Sequence, residues 1–285
     1  MQSNILDSIA DRYNSLTRSG KKLADYILSH KSETQYMSIT SLAEASRVSE
    51  ATITRFCKML GLAGYNDLKL ALAKADPTLG ARDPGADPTQ ASGQSSFETL
   101  CRRLYQTDVS ALNETLAMVD EASALKAAAL LSNSRRIFCF GQGSSNVTAM
   151  EAWARFSTAS SDFIHIADSH MQAMASSLCT DQDAILFFSY SGATKDMLDV
   201  LKPAKNNGAS VILITHFPNS PAAMLADVVL LCGPSENPLQ SGSIAAKIGQ
   251  LFIIDYLFHV YCQQNSDICT GARAATAQAT ARKLL

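Results

Sequence analysis

Six consecutive residues, Ser189-Tyr190-Ser191-Gly192-Ala193-Thr194, set three hydroxyls around one glycine. They follow the apolar run 184–188 and precede a helical stretch at 195–206. Hydroxyls at a helix start attract anions, because unsatisfied N–H groups and the positive end of the helix dipole converge there. The spacing predicts a phosphate held by Ser189, Ser191 and Thr194, with Gly192 letting the backbone come close. Each hydrogen bond to the charged group contributes about 1.5–3 kcal/mol. A second turn, Gly141-Gln142-Gly143-Ser144-Ser145-Asn146, leaves the apolar run 137–140 ahead of another helical stretch and offers Gly143, Ser144 and Ser145 for similar work. Its G-x-G start also opens dinucleotide folds. Asn146 stands where the third glycine belongs, however, and Asp168 is the nearest acid to the end of the next strand, so no nucleotide cofactor is expected. The alternative at both turns is a serine-rich helix cap with no ligand.

A different chemistry is written into residues 38–62, SITSLAEASRVSEATITRFCKMLGL. Ala43 is a small residue inside one predicted helix, Val48 lies at a turn, and Ile53 points inward from a second helix that Ser49 is placed to cap. These are helix-turn-helix offsets. Arg47 stands at the turn position often held by glycine, at a cost of about 1 kcal/mol if the turn needs positive φ. With the second helix in a major groove, Arg55 is placed to grip guanine or phosphate, while Thr52 and Thr54 reach phosphates or a thymine methyl. Ser49 and its neighbouring amides form a phosphate site, and Lys58 and Lys69 are expected on the DNA backbone. The alternative is a helical module using the same spacing for protein contacts.

The elements that must position these groups follow from the hydrophobic pattern. Residues 1–75 read as helical, with Ile5, Ile9 and Tyr13 on one stripe and Thr17 capping a helix that carries Leu23, Ala24, Ile27 and Leu28. Residues 76–96 contain three prolines and three glycines and almost no large apolar side chain, so they are read as a flexible linker. Beyond it, two helical stretches lead into five short apolar runs, at 137–140, 163–167, 184–188, 211–215 and 228–232, separated by helical segments. Continuous apolar runs fit strands buried on both faces. The expected architecture is an all-α head plus a doubly wound α/β domain at 97–285, with a five-stranded parallel sheet and a core at about 125–265. The strand ends FGQGSSN, FSYSGAT and THFPNSP are alike in miniature, as if they shared a job at one sheet edge.

Composition bounds the class. At 285 residues the chain suits two domains, and 47% hydrophobic with 18% charged residues is ordinary for packed cores. The head holds ten Lys or Arg against seven Asp or Glu and the remainder fourteen against nineteen, an asymmetry compatible with a nucleic-acid-binding head. The opening MQSNILDSIADRYN lacks the pattern of a secretory leader. The apolar stretch 244–262 carries Lys247, Gln250, Asp255 and His259, which reads as a buried or interfacial helix, so no membrane is expected. Seven scattered cysteines without a C-x-x-C pair suggest reduced thiols in a cytoplasmic protein, with no metal site.

Two resemblances add to this reading. Leu16-Thr17 followed by SITSLAEASRVSEATITRFCKMLGLAGYNDLK, over about residues 5–75 and including Gly64 and Tyr65, resembles the head of the RpiR family of bacterial sugar-metabolism regulators. That resemblance implies a double-stranded, palindromic operator. It also implies a homodimer or dimer of dimers whose recognition helices sit about 34 Å apart or a multiple of it. The S-x-S-G-x-T motif with GxGSS before it resembles a sugar isomerase (SIS) domain over about 125–265, which implies a phosphosugar lined by Ser144, Ser145, Ser189, Ser191 and Thr194. The residue before Thr194 is often acidic in that family and is Ala193 here, a departure expected to spare the phosphate and alter contacts nearby. SIS domains also serve phosphosugar isomerases, which need a general base. Glu151, His165, His170 and Glu236 are the candidates, none of them in a motif that supports catalysis. A regulator rather than an enzyme is therefore expected, with the isomerase as the alternative.

Overall fold

The computed structural model describes residues 4–35, 37–75, 97–234 and 243–283. The linker expected at 76–96 and the candidate base Glu236 lie outside the described residues. The chain divides into two units within one long helix, after Thr107, and each unit is taken by itself.

Six helices form the head: α1 (Ile5–Arg12), α2 (Arg18–Ser29), α3 (Lys31–Thr34), α4 (Ile39–Ser46), α5 (Glu50–Met59) and α6 (Tyr65–Ala75). Short polar residues start four of them. Asn4, Thr17, Ser38 and Ser49 each accept a first-turn N–H, satisfying a donor that the helix cannot. Ile9, Leu23, Ile27, Leu42, Ile53 and Leu68 are fully buried at the centre, each contributing about 1.5–3 kcal/mol by leaving water. Between α4 and α5 the chain turns through Arg47 at φ 54° and ψ 46°, the only positive-φ residue other than glycine among the described residues. Val48 N–H donates to Ala43 O at 3.0 Å and Arg47 N–H to Glu44 O at 3.1 Å, closing the end of α4 with a left-handed residue. The anticipated misfit at Arg47 is thus real. The turn keeps its geometry and tolerates a side chain there.

The second unit is a doubly wound sheet. After α7 (Phe97–Met118) and α8 (Glu121–Ser132), the order is β1 (Arg136–Gly141), α9 (Ser145–Phe156), β2 (Phe163–His165), α10 (Ser169–Ser177), β3 (Asp183–Phe188), α11 (Lys195–Asn206), β4 (Ser210–Thr215), β5 (Val228–Leu231), α12 (Ile244–Gln264) and α13 (Ser266–Ala281). All strand pairings are parallel, in spatial order β2-β1-β3-β4-β5. Every residue of β3 is buried, as the continuous apolar run predicts. Ala184, Leu186 and Phe188 face the side covered by α8, α9 and α12, while Ile185 and Phe187 face α10 and α11. Helix α12 is long and apolar enough to span a bilayer, yet ten of its residues, including Ile253, Leu257 and Phe258, are buried in this unit. It is a core helix: Gln250 is buried with the apolar residues and Lys247 half-buried, while Asp255 and His259 are exposed.

At the N-terminal ends of β1 and β3, Arg136 clamps Asp183 through Nε to Oδ1 at 2.9 Å and Nη2 to Oδ2 at 2.8 Å. The Asp183 carboxylate is fully buried and also accepts Thr180 N–H at 2.8 Å and Thr180 Oγ1 at 3.0 Å. These donors, Arg136 foremost, hold its pKa down at about 2 against the opposing effect of burial.

Candidate functional site

The strand order has a reversal point. From β1 the chain winds outward to β2, returns past β1 to β3, and then winds the other way, so the direction reverses between β1 and β3. Ligands of open α/β sheets bind outside the carboxyl ends of the strands at such a reversal. Both hydroxyl turns leave from there: Gly141, which ends β1, pairs with Phe188, which ends β3. Residues 47 apart in sequence thereby lead into adjoining loops.

Two hydroxyls in those loops make no cap bond to the helix they precede. Asp120 and Asp168 cap α8 and α10 through their carboxylates. Ser144 and Thr194 occupy the same position before α9 and α11, yet neither makes a side-chain cap bond. Both are exposed. The start of α11 thus retains first-turn N–H groups and a hydroxyl for an outside acceptor, whereas at α9 the Ser145 and Asn146 N–H groups already donate to Gln142 O and Gly143 O at 3.1 and 3.2 Å and the Ser144 hydroxyl is what remains. Gly143 takes φ 56° and Gly192 φ 58°, left-handed values suited to glycine. Ser189 Oγ accepts Gly192 N–H at 3.1 Å and Ser191 Oγ accepts Ala193 N–H at 3.4 Å, so both hydroxyls shape the loop and still have a proton to donate. Ser145, half-buried, is the first residue of α9.

Several positioning residues were invisible in the local motifs. The loop after β4 backs the S-x-S-G turn: Ala222 N–H donates to Gly192 O at 3.0 Å, and a Cβ on Gly192 would collide with the Ser220 side chain. Thr215 Oγ1 and His216 N–H donate to Tyr190 O at 3.0 and 3.1 Å, and the Tyr190 and His216 rings stack at 5.2 Å. The FSYSGAT and THFPNSP turns therefore share one structure, the second buttressing the first. Gln172, fully buried, donates Nε2–H to Gly141 O at 3.0 Å and Ile166 O at 2.7 Å, tying the exits of β1 and β2 together.

Of the candidate bases, His165 Nε2 lies 3.0 Å from Asn146 Oδ1, and burial lowers its pKa, favouring the neutral ring. Glu151 and His170 are exposed on α9 and α10. No group of His, Cys, Asp and Glu able to hold a metal occurs among the described residues.

In the head, α5 presents Ser49, Arg55 and Lys58 to solvent while Ile53, Phe56 and Cys57 are buried. Ser49 Oγ accepts Thr52 N–H at 3.2 Å and lies 2.9 Å from Thr52 Oγ1; Arg55 Nη2 reaches the same Thr52 oxygen at 3.5 Å. Thr54 Oγ1 donates to Glu50 O at 3.0 Å, which leaves the methyl as its distinctive surface. Glu50 is held by Thr40 Oγ1 at 2.7 Å, bracing α5 against α4. Lys69 differs from Lys58: it stands half-buried on α6 with Nζ 5.9 Å from the Tyr65 ring centre, and burial lowers its pKa. One positioning residue lies far away in sequence. Arg12 of α1 donates to Met59 O at the end of α5, placing a cation where the helix dipole is negative. Beside α5, a groove of about 390 Å³ is lined by Ser15, Thr17, Ser19, Thr52 and Arg55 among others.

A helix-turn-helix head and a five-stranded parallel sheet with hydroxyl loops at its reversal point together define a transcription regulator carrying a SIS domain. The chain belongs to the RpiR family: residues 3–78 match the helix-turn-helix domain of the rpiR family and residues 130–260 match the SIS domain. An uncharacterized HTH-type transcriptional regulator of Haemophilus influenzae is 32% identical over 273 residues, covering 96% of this chain and 95% of its own. The HTH-type transcriptional regulator HexR of Pseudomonas aeruginosa is 30% identical, covering 89% and 87%. Among solved structures, the Vibrio vulnificus NanR protein complexed with ManNAc-6P aligns over 99% of both chains at a TM-score of 0.86 and 25% identity.

Proposed function

We propose that this regulator binds a palindromic operator as a homodimer or dimer of dimers, and that a phosphorylated sugar held between the β1 and β3 loops sets its operator affinity. The observation carrying the effector site is the pair of helix starts, at Ser144 and Thr194, that lack side-chain caps at the reversal point of the sheet. The phosphate sits on the first-turn amides of α11, with Ser144, Ser145, Ser189, Ser191 and Thr194 as hydroxyl donors and Gly143 and Gly192 allowing close approach. NanR complexed with ManNAc-6P, a phosphorylated amino sugar, supports a ligand of this class. On DNA, Arg55 and Thr52 read bases or phosphates, Thr54 offers a methyl, Ser49 meets a phosphate, and Lys58 and then Lys69 contact backbone. The protein works in the cytoplasm, where its DNA lies, and performs no chemistry on the sugar: of the candidate bases among the described residues, Glu151 and His170 are exposed on their helices and His165 is engaged by Asn146.

A coupling of about 1–3 kcal/mol between the sites changes operator affinity 5- to 150-fold. The test is a thermal-shift panel of hexose, pentose, amino-sugar and acidic-sugar phosphates, followed by fluorescence-anisotropy titration of upstream DNA with and without the stabilising ligand. Stabilisation lost in Ser189→Ala plus Ser191→Ala, and a shift in DNA affinity, support the reading. Turnover of that ligand replaces the sensor with an isomerase, and failure to bind any duplex at low salt removes the regulator.

A further inference from the structure

The far end of α9 carries a feature that the regulator reading does not use. Arg155 lies on this helix ten residues beyond Ser145, about 15 Å along its axis from the effector loops at a rise of ~1.5 Å per residue. Its guanidinium carbon sits 4.2 Å from the centre of the fully buried Phe258 ring, and that of Arg273, on α13, sits 5.7 Å from the same centre. The two cations are therefore less than 10 Å apart, about the screening length of 0.1 M salt. One carboxylate answers the first of them: Asp255 accepts from Arg155 Nη2 at 2.7 Å and also faces His259 Nε2 at 3.7 Å. Arg273 is exposed and has no ion pair among the described residues.

Between α9 and α13 these arginines line a cleft of about 510 Å³, within the size range of small-molecule sites. Its threonines are not equivalent. Thr158, Thr276 and Thr280 donate their hydroxyl protons to backbone carbonyls, which leaves their methyls and Ala277 as apolar wall. Thr270 is the one lining threonine whose hydroxyl is uncommitted among the described residues. The donors left for a ligand are the two guanidiniums and Thr270. The surrounding surface is apolar.

We propose that this cleft is a second ligand site, separate from the hydroxyl loops, for a small organic oxyanion. Its carboxylate or phosphate lies between Arg155 and Arg273 with Thr270 as the neutral donor, and its body rests on the threonine methyls and Ala277. Bound there, the anion neutralises two cations that share one ring, only one of which has a carboxylate partner. It also touches the helix that starts at the effector loop.

The test is isothermal titration of the full chain with benzoate, phenyl phosphate, citrate and inorganic phosphate, at constant ionic strength with chloride as balance. The wild type, Arg273→Ala and Ser189→Ala plus Ser191→Ala are compared, with mass by light scattering for each. Saturable binding that persists in the serine variant and weakens at least tenfold in Arg273→Ala supports the site. The carboxylate and phosphate arms identify the preferred head group, and the inorganic arm shows whether an organic body is needed. No saturable binding, binding that Arg273→Ala leaves unchanged, or binding lost with the serines overturns it. A change of mass in Arg273→Ala assigns the cleft to contact between copies and overturns it equally. Arg273 is exposed, so its removal leaves the fold intact.

Discussion

Replacing Thr194 by alanine separates the two roles a hydroxyl at a helix start can play. A capping Ser or Thr typically loses about 1 kcal/mol on truncation, which in a domain of this size lowers Tm by roughly 2–4 °C. Thr194 makes no side-chain cap bond to α11, so Thr194→Ala is expected to leave the ligand-free melting temperature within about 1 °C. If its hydroxyl instead serves a phosphate, the lost charge-assisted bond is worth about 1.5–3 kcal/mol, equivalent to roughly 10- to 150-fold in Kd. Isothermal titration with the best sugar phosphate of the panel, alongside scanning calorimetry without ligand, measures both. Asp168→Ala is the mirror control, because Asp168 Oδ1 accepts Met171 N–H at 2.9 Å as a working cap of α10. That variant should melt lower and bind the phosphate as before, while Thr194→Ser should match the parent in both assays. A Thr194→Ala protein that melts like a lost cap and binds unchanged refutes the argument from unfilled helix starts.

Other consequences follow from the same geometry. Gly192→Ala places a methyl against Ser220 at φ 58° and should weaken the sugar phosphate more than tenfold while ligand-free operator binding stays intact, a split that anisotropy and calorimetry resolve. Asp183→Asn leaves Arg136 without its buried partner and should cost about 3 kcal/mol in urea unfolding of the second unit. The depressed Asp183 pKa stabilises the fold above its ordinary value near 3.8 and ceases to do so as pH falls through about 2. Parental stability should thus decline across that window more steeply than the variant's. Arg47→Gly relieves a left-handed side chain, and should raise head stability by about 0.5–1 kcal/mol with operator affinity unchanged; a lower Tm contradicts the turn assignment. Arg55→Ala and Lys58→Ala should weaken operator binding, and each phosphate contact removed should flatten the plot of log K against log salt by about 0.9. Lys69→Ala should do less, its ammonium being half-buried beside Tyr65.

What the sequence determined by itself is local. Thr17 and Ser49 announce their helices because a cap acts over three residues, and Ala43, Val48 and Ile53 mark the turn because helical spacing is regular. The five apolar runs became strands because continuous hydrophobicity has few other outlets between helices. The hydroxyl turns were legible, yet their vacancy was not: Asp168 caps and Thr194 does not, and the motifs look equally suited to it. Nor did the sequence order the strands, since five similar apolar runs pair with almost equal chemistry. Only the tertiary structure put β1 beside β3 and so brought Gly141 next to Phe188. It likewise decided that Arg12 reaches Met59, that His216 stacks on Tyr190, and that Arg136 clamps Asp183. These contacts join residues 26 to 47 positions apart, where pairing depends on how whole elements pack and no spacing rule applies. The chemistry of the proposed phosphate site was therefore written in two short segments, and their convergence was written only in the sheet.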